Sequence, residues 1–586
     1  MWGVEMAAVP GSASSAAESS IGWLKSVLPI FEWLPSYKKS WFRFDLIAGL
    51  SLAAYSIPEA LVNSSLAGLA PQHGLYAFLI AGFIYSLFTT SRHAAVAASA
   101  TVSIMIGFSL GAMGIQDATR YAEMAAFTAI LVGIIGFFAW LLRLSDIVSF
   151  ISETILSGFR LGAALVIAST QLPKIMGIKG AGHNFFESMY HVGQNLGDTN
   201  FAALAVGLGA LILILIGQRI MSKGIVPLIV VALSIVMMSV TNLAHYGVKI
   251  TGTVAQGFPH FGLPSLKLSD IEDLVPIAFG CFLLAYVEGI SMIRTFASKH
   301  HYSIDSRQEL LAAGAANLAV GLGQGFPVAV GLSQSTVNEQ AGAKTPVSML
   351  VACSVCGLVL LFLAGLFRNL PQPVLAAMIL VAAKSLVNFH EFNHLRRVSK
   401  PEFAVAIVTV AAVLVLGILK GVLVAAVISL LMLVRRVAHP TVTILGRIPG
   451  TDEFGGIDRH PENQTVPGLL ACRAEGDLLY FNVGNIFNDI LEHVRAQDPP
   501  VELVVFDLSA SNYVDLEGAQ MLRTLHEELS SEEIHLKLVG AQGHVRDLLR
   551  MDGLESLVGR IDRRLSLENI MGQKEAETEE PKILGH

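Results

Sequence analysis

Between Leu46 and Leu433 the chain is mostly a succession of apolar runs, roughly 17–25 residues long, some of them shorter. A helical run of that length crosses the ~30 Å hydrocarbon layer of a bilayer at ~1.5 Å per residue. Within that layer the backbone must satisfy its own hydrogen bonds, so the runs have to be helices, and irregular backbone survives only where protein encloses it. Composition agrees: 53% of the 586 residues are hydrophobic and 15% are charged, against ~25% charged in an average soluble domain. The net charge of −7 owes much to residues beyond Val434, including EAETEE at 575–580, so it carries no information about a ligand.

About fourteen apolar segments are expected, near 44–66, 75–90, 95–113, 122–142, 147–172, 201–217, 225–243, 275–296, 308–324, 333–343, 346–367, 372–388, 402–418 and 420–434. Lys38, Lys39 and Arg43 precede the first. Arg143, then Arg219 and Lys223, then Arg294, Lys299 and Arg307, then Arg396, Arg397 and Lys400, and finally Arg435 and Arg436 fall in alternate connections. By the positive-inside rule both termini are expected in the cytoplasm, with the long loops 174–200 and 244–274 outside. Residues 1–20 are Ala/Ser-rich, have neither the basic region nor the apolar core of a secretory signal, and read as disordered.

The third and tenth segments are unusual. SRHAAVAASATVS (91–103) and FPVAVGLSQSTVN (326–338) each open on polar or Gly/Pro-broken sequence, each is short, and each takes third place in a set of seven. Interrupted segments at matching places in two halves point to an inverted-repeat transporter with its site at the interruptions.

Beyond residue 434 the pattern turns to strand–helix alternation. LLACRAE, DLLYFNV, VELVVFDLS and IHLKLVG read as strands, with helices at NIFNDILEHVRA, EGAQMLRTLHEEL and HVRDLLRM and a short one near SLENIMG. The expected organisation is an N-terminal cytoplasmic segment over 1–40, partly disordered, and a transmembrane domain over 41–436. A linker over 437–463, an α/β domain over 464–572 and an acidic tail over 573–586 follow.

Several stretches resemble the SulP (sulfate permease) family of anion transporters. DLIAGLSLAAYSIPEALVNSSLAGLAPQHGLYAF (45–78) resembles the family's first-helix signature. ELLAAGAANLAVGL with GLSQSTVNEQAGAKTP (331–346) resembles its ninth and tenth segments, and the C-terminal part resembles its STAS domain. The resemblance runs over about 40–570. It implies a polytopic α-helical membrane protein of fourteen segments in a 7+7 inverted repeat, with core and gate domains and a cytosolic α/β STAS-like domain. It also implies elevator-like movement of the core and no enzymatic activity. The implied partners are a small inorganic anion, the lipid bilayer of the inner or plasma membrane and a second copy of the chain, with no nucleic acid. No cofactor is implied beyond a co-transported proton or sodium.

In that family the short third and tenth helices aim their N-termini at each other near the midplane. Each N-terminus offers unpaired N–H donors and about half a positive charge. The resemblance therefore places the anion between Ala98, Ser99 and Ala100 on one side and Ser333, Gln334 and Ser335 on the other. Without it, the same small residues read equally well as tight helix packing. Three departures from the family pattern stand out. Gln334 occupies a position that is often Arg, Ala97-Ala98 replaces a common Gly-Pro, and Asn63 stands where Tyr is frequent. Helix dipoles without that Arg suit a monoanion, so a dianion would want a cation or proton alongside. Glu288 and Glu59 are acids inside spanning segments, and each is a candidate for ion coupling. The alternatives are an ion pair with Arg294 or Lys299 for Glu288, and a helix-packing hydrogen bond for Glu59.

Two further motifs are expected to be bland. HEFNH at His390–His394 fits the zinc-protease pattern but lies in a basic connection with no convincing third ligand, and is expected to be a solvated loop. Cys353 and Cys356 form C-x-x-C inside an apolar run, where packing outweighs redox or metal binding. In the STAS-like domain VDLEGA puts Glu517 where related proteins carry a phosphorylatable hydroxyl, so phospho-switching is not expected there. The expected function is proton-coupled sulfate transport. The alternatives are sodium-coupled bicarbonate uptake, chloride or dicarboxylate exchange, and an uncoupled anion channel.

Overall fold

The computed structural model describes residues 27–144, 153–178, 185–221, 225–241, 243–252, 254–265 and 267–574. Residues 1–26, the start of the fifth apolar segment and the tail from 575 lie outside the described residues. The chain divides into a membrane unit ending at Ser429 and a second unit beginning at Leu430.

In the membrane unit, α1 is Phe42–Leu66, α2 Pro71–Phe88, α3 Ala100–Gly111, α4 Ala118–Leu141, α5 Glu153–Met176, α6 Phe201–Ile220 and α7 Ile225–Val240. The second set of seven is α8 Leu268–Lys299, α9 Ser306–Leu322, α10 Leu332–Gln340, α11 Val347–Leu358, α12 Gln372–Leu386, α13 Lys400–Leu416 and α14 Ile418–Ala438. Among the described residues eight helices, some continuing through short irregular turns, are long and apolar enough to span a bilayer alone. Side-chain caps set several boundaries: Asp117, Asn200 and Asp305 accept from first-turn N–H groups of α4, α6 and α9. Gly417, with φ +85°, supplies the left-handed residue that separates α13 from α14.

The helices sort into two bundles, a core of α1–α4 with α8–α11 and a gate of α5–α7 with α12–α14. In the core, α4 packs on α9 and α2 on α11, the two pairings that an inverted repeat interchanges. The close crossings run over glycine. A Cβ on Gly133 of α4 would stand 2.7 Å from the Leu318 nitrogen of α9, and one on Gly321 would stand 2.5 Å from the Ala126 carbonyl. In the gate α5 packs on α12 and α13, with Gly158 against the Ala406 backbone. With little hydrophobic drive between helices in lipid, such backbone approach and dispersion hold the bundle together.

The third and tenth elements are the half-helices that their sequence announced. At ~1.5 Å per residue α3 is about 18 Å long and α10 about 14 Å, and neither reaches across the layer. Each follows a two-residue strand, β1 (Val96–Ala97) or β2 (Ala329–Val330), and the strands pair antiparallel with Val96 opposite Val330 and Ala97 opposite Ala329.

The second unit contains a five-stranded sheet of β3 (Val442–Arg447), β4 (Phe454–Gly456), β5 (Leu469–Ala474), β6 (Leu503–Asp507) and β7 (His535–Val539), in the order β4-β3-β5-β6-β7. β5, β6 and β7 run parallel, and α15 (Val483–Arg495) and α16 (Leu516–Ser531) make the crossovers between them. α17 (Gly543–Met551) and α18 (Glu555–Val558) follow. Two sequence readings are corrected here. DLLYFNV is not a strand: Leu478 makes a lone bridge to Val514, and Asn482 then turns the chain into α15 by accepting from the Leu479 N–H. The stretch 437–463, read as a linker, supplies β3 and β4, so the sheet begins before residue 464.

The HEFNH stretch is a helix, Phe389–Val398, not a loop, because Asn388 caps it by accepting from the Glu391 N–H. His390 and His394 face outward on it, while Glu391 turns inward to accept from Ser157. Among the described residues no group of three His, Cys, Asp or Glu side chains is placed to hold a metal. Cys353 and Cys356 are buried free thiols packed against α2.

Candidate functional site

The strand pair that carries both half-helices is fixed from several directions by side chains of the core. In α9, Glu309 accepts from the Tyr85 hydroxyl (2.5 Å), the Thr90 N–H and hydroxyl (both 2.7 Å) and the Ser91 N–H (3.2 Å), which holds the turn entering β1. Two turns along the same helix, Asn317 accepts from the Val328 N–H (2.9 Å) and donates to the Val328 carbonyl (3.1 Å), which holds the entry to β2. Asp45 of α1 is fully buried and accepts from the Lys344 N–H (2.7 Å) and the Thr345 N–H and hydroxyl, fastening the chain that leaves α10. One helix thus anchors both approaches to the half-helices, and α1 secures one exit.

The expected binding residues gather around this pair. Ala98 is buried, and its carbonyl accepts from Asn63 Nδ2 at 2.5 Å. Asn63 thereby ties α1 to the residue two before α3. Ser99 is the N-cap of α3: its Oγ accepts from the Val102 N–H and its carbonyl from the Ser103 hydroxyl, so the Ser99 hydroxyl proton stays available. Ala100 is the first residue of α3. On α10, Ser333 meets the Tyr55 hydroxyl. Gln334 is buried and folds back, its Oε1 only 1.7 Å from where a Cβ on Gly331 would stand, so glycine at 331 is what permits this pose. The Gln334 side chain is also the polar group that Glu59 of α1 meets, while Glu59 Oε2 is enclosed with no hydrogen-bond partner. Ser335 faces away from its neighbours on α10 and into the strand pair. Its Oγ accepts from the Ala95 N–H at 2.8 Å, which makes it a splint between the two half-helix approaches.

Glu288 of α8 is aimed at the first turn of α3. Thr101 Oγ1 donates to it at 3.3 Å, and Arg160 Nε of α5 lies 3.6 Å from its Oε1. The pair joins the core to the gate, and its partner is not Arg294 or Lys299, which sit at the far end of α8. Arg294 donates to Ser306 and Lys299 to Glu339 instead. The sequence reading passed over Arg160, although a guanidinium inside an apolar segment carries the same signal as the acids. Its presence alters the electrostatics: besides two helix N-termini, there is a cation held against the carboxylate that meets Thr101 in the first turn of α3. Glu309 was missed for the opposite reason, since its place at the start of α9 reads as a solvent-facing first-turn acid.

The architecture has known counterparts. Residues 42–409 match the sulfate permease family and residues 460–567 match the STAS domain. A probable sulfate transporter of Mycobacterium tuberculosis is 32% identical over 92% of this chain and 96% of its own length. Sulfate transporter 4.1, chloroplastic, of Arabidopsis thaliana is 28% identical over 92% of this chain and 81% of its own. The solved structure of SLC26A9 superposes with a TM-score of 0.85 at 22% identity, covering 100% of this chain and 99% of that one, and so shares its fold. With two sets of seven helices, paired half-helices and a STAS domain, this chain belongs to the sulfate permease family and is a multi-pass membrane anion transporter, not an enzyme.

Proposed function

We propose that this chain carries sulfate across the inner or plasma membrane together with protons, by an elevator-type movement of the core bundle against the gate. Both termini are cytoplasmic in this reading, and the working unit is a homodimer. The anion sits between the N-termini of α3 and α10, against the N–H groups of Ser99 and Ala100 and of Ser333 and Gln334. Ala98 and Ser335 shape the floor, and the Ser99 and Ser333 hydroxyls donate to the anion. Glu288 is the coupling acid and Glu59 a second proton acceptor. Names carried by the relatives, sulfate transporters of a bacterium and a plant, support sulfate as the cargo.

One observation carries this reading: the contact of Glu288 with both Thr101 on α3 and Arg160 on α5. While Glu288 is ionised, it neutralises Arg160 and ties the core to the gate. Protonation cancels that pair, which frees the guanidinium to face a dianion and releases the core to move. The supplementary charge that two helix dipoles lack for sulfate is then provided by Arg160, and only in the protonated state. The same pair disfavours a resident sodium ion at Glu288, because a cation there would face Arg160 at close range. The test is uptake of labelled sulfate into sodium-free proteoliposomes with and without an inward proton gradient. Accumulation driven by the gradient supports the reading. No sulfate uptake, in vesicles where labelled bicarbonate enters once sodium is added, overturns it in favour of sodium-coupled bicarbonate transport.

A further inference from the structure

A cavity of about 280 Å³ lies away from the half-helix site, between the C-terminal ends of α1 and α3 on the core side and of α5 on the gate side. The α3 wall recedes because it is glycine: a Cβ on Gly107 would strike the Leu66 carbonyl at 2.1 Å, while Gly111 has only open space before it. The facing wall of α5 is polar, formed by Thr170, Gln171 and Lys174. Lys174 stands fourteen residues beyond Arg160 on the same helix, about 21 Å along its axis.

Two features give this cavity the character of an anion site. Lys174 is a half-buried cation with no carboxylate partner among the described residues. Gln171 is 1% exposed, and its Nε2 donates to Thr170 Oγ1 at 3.0 Å while its Oε1 has no partner. An enclosed amide oxygen without a donor is costly, and the two orientations of an amide differ only in which atom faces outward. Turned over, the amide would take the Thr170 hydroxyl proton, which now goes to the Ile167 carbonyl at 2.8 Å, and would leave an NH₂ at the cavity wall in need of an acceptor. An ammonium and an amide NH₂ around a space that also holds several waters, at ~30 Å³ each, form the donor set for a partly hydrated oxyanion.

We propose that this cavity is a second, transient oxyanion site, in which Lys174 and Gln171 capture the anion at the C-terminal end of α5 before it reaches the half-helices. The assignment rests on the chain being an oxyanion transporter, and it adds a staging point that the half-helix site does not supply. By the distribution of basic residues, this end of α5 is the outward one.

The test is made on the full chain, whose described native cysteines are all buried. In Gly111→Cys, which keeps Lys174 and puts a thiol into the open space of the cavity, sulfate is expected to slow modification of the new thiol by a charged thiol reagent several-fold. Lys174→Met is expected to raise KM for sulfate about ten-fold, the loss of one charge-assisted contact, while Lys174→Arg stays within about two-fold of the parent. Protection in G111C without sulfate transport by the parent would support the cavity and refute sulfate as the cargo. A transporting parent with no protection, and an unchanged KM in K174M, would overturn the cavity site alone.

Discussion

Arg160 Nε lies 3.6 Å from Glu288 Oε1, and these two side chains belong to different bundles of the membrane unit, the gate and the core. Both are largely enclosed, at 24% and 14% side-chain exposure, so neither charge is fully screened by solvent. Removing one partner leaves the other desolvated and unpaired, which costs more than the pair contributes. A double-mutant cycle with Arg160→Met and Glu288→Gln is therefore expected to show a coupling energy of about 1–2 kcal/mol in thermal unfolding, each single change being worse than additivity allows. Strict additivity would mean that the two groups do not interact.

The two serines of α10 are expected to separate by function. Ser333→Ala removes a hydroxyl donor from the proposed anion and raises KM roughly ten-fold, with Tm nearly unchanged. Ser335→Ala removes the acceptor of the Ala95 N–H and lowers stability by about 1–3 kcal/mol, because a buried donor is left unpaired. The double change Ser333→Ala with Ser335→Ala combines a raised KM with a lowered Tm. Titrated sulfate uptake and thermal melts read both, and an unchanged KM in the double variant would remove α10 from the site.

Asn63→Ala is expected to cost about 1–3 kcal/mol, since the Ala98 carbonyl loses its donor within a closed core. Asn63→Asp removes the same donor and adds a charge beside a carbonyl, so it should be at least as damaging. Melting curves check both. A larger loss in the Ala variant than in the Asp variant would show that packing, not the hydrogen bond, is what Asn63 supplies.

Glycine at the α4–α9 crossing is expected to be irreplaceable. Gly133→Val forces the helices apart and costs at least about 1–3 kcal/mol, whereas Gly209→Ala, with nothing within 4 Å of the new Cβ, should leave Tm unchanged. Similar melts for both would mean that this crossing yields.

Much of this was legible in advance. Apolar runs located the spanning helices among the described residues, and the polar openings at SRHAAVAASATVS and GLSQSTVN marked the two half-helices, because the bilayer forbids such backbone except in an enclosed place. What escaped the sequence was pairing across space. Nothing local says that Ser335 turns toward the Ala95 N–H, or that Glu288 reaches back to Arg160 on a helix more than a hundred residues earlier. Residues 477–483 were misread as a strand because LLYF is a short apolar run, yet the Asn482 contact with the Leu479 N–H and a single bridge at Leu478 leave only a turn. HEFNH, expected to be a solvated loop, forms a helix that the basic composition hid.

In the second unit, burial pushes the Cys472 thiol up to about 12, with Asp507 adding to the effect. The thiolate is the nucleophile, so at pH 8 the folded domain presents about 10⁴-fold less of it than of neutral thiol. Alkylation mapped by mass spectrometry is expected to spare Cys472 until the domain unfolds, when its pKa returns to ~8.5. Rapid labelling in the folded protein would place that thiol at the surface.

The central claim, that a proton on Glu288 accompanies sulfate, is tested most directly by recording internal pH in sodium-free proteoliposomes as sulfate is added outside. The account predicts internal acidification for the parent chain. For Glu288→Gln it predicts none, while labelled sulfate still exchanges for internal sulfate. Sulfate entry without acidification in the parent, or undiminished acidification in the Gln variant, would contradict it.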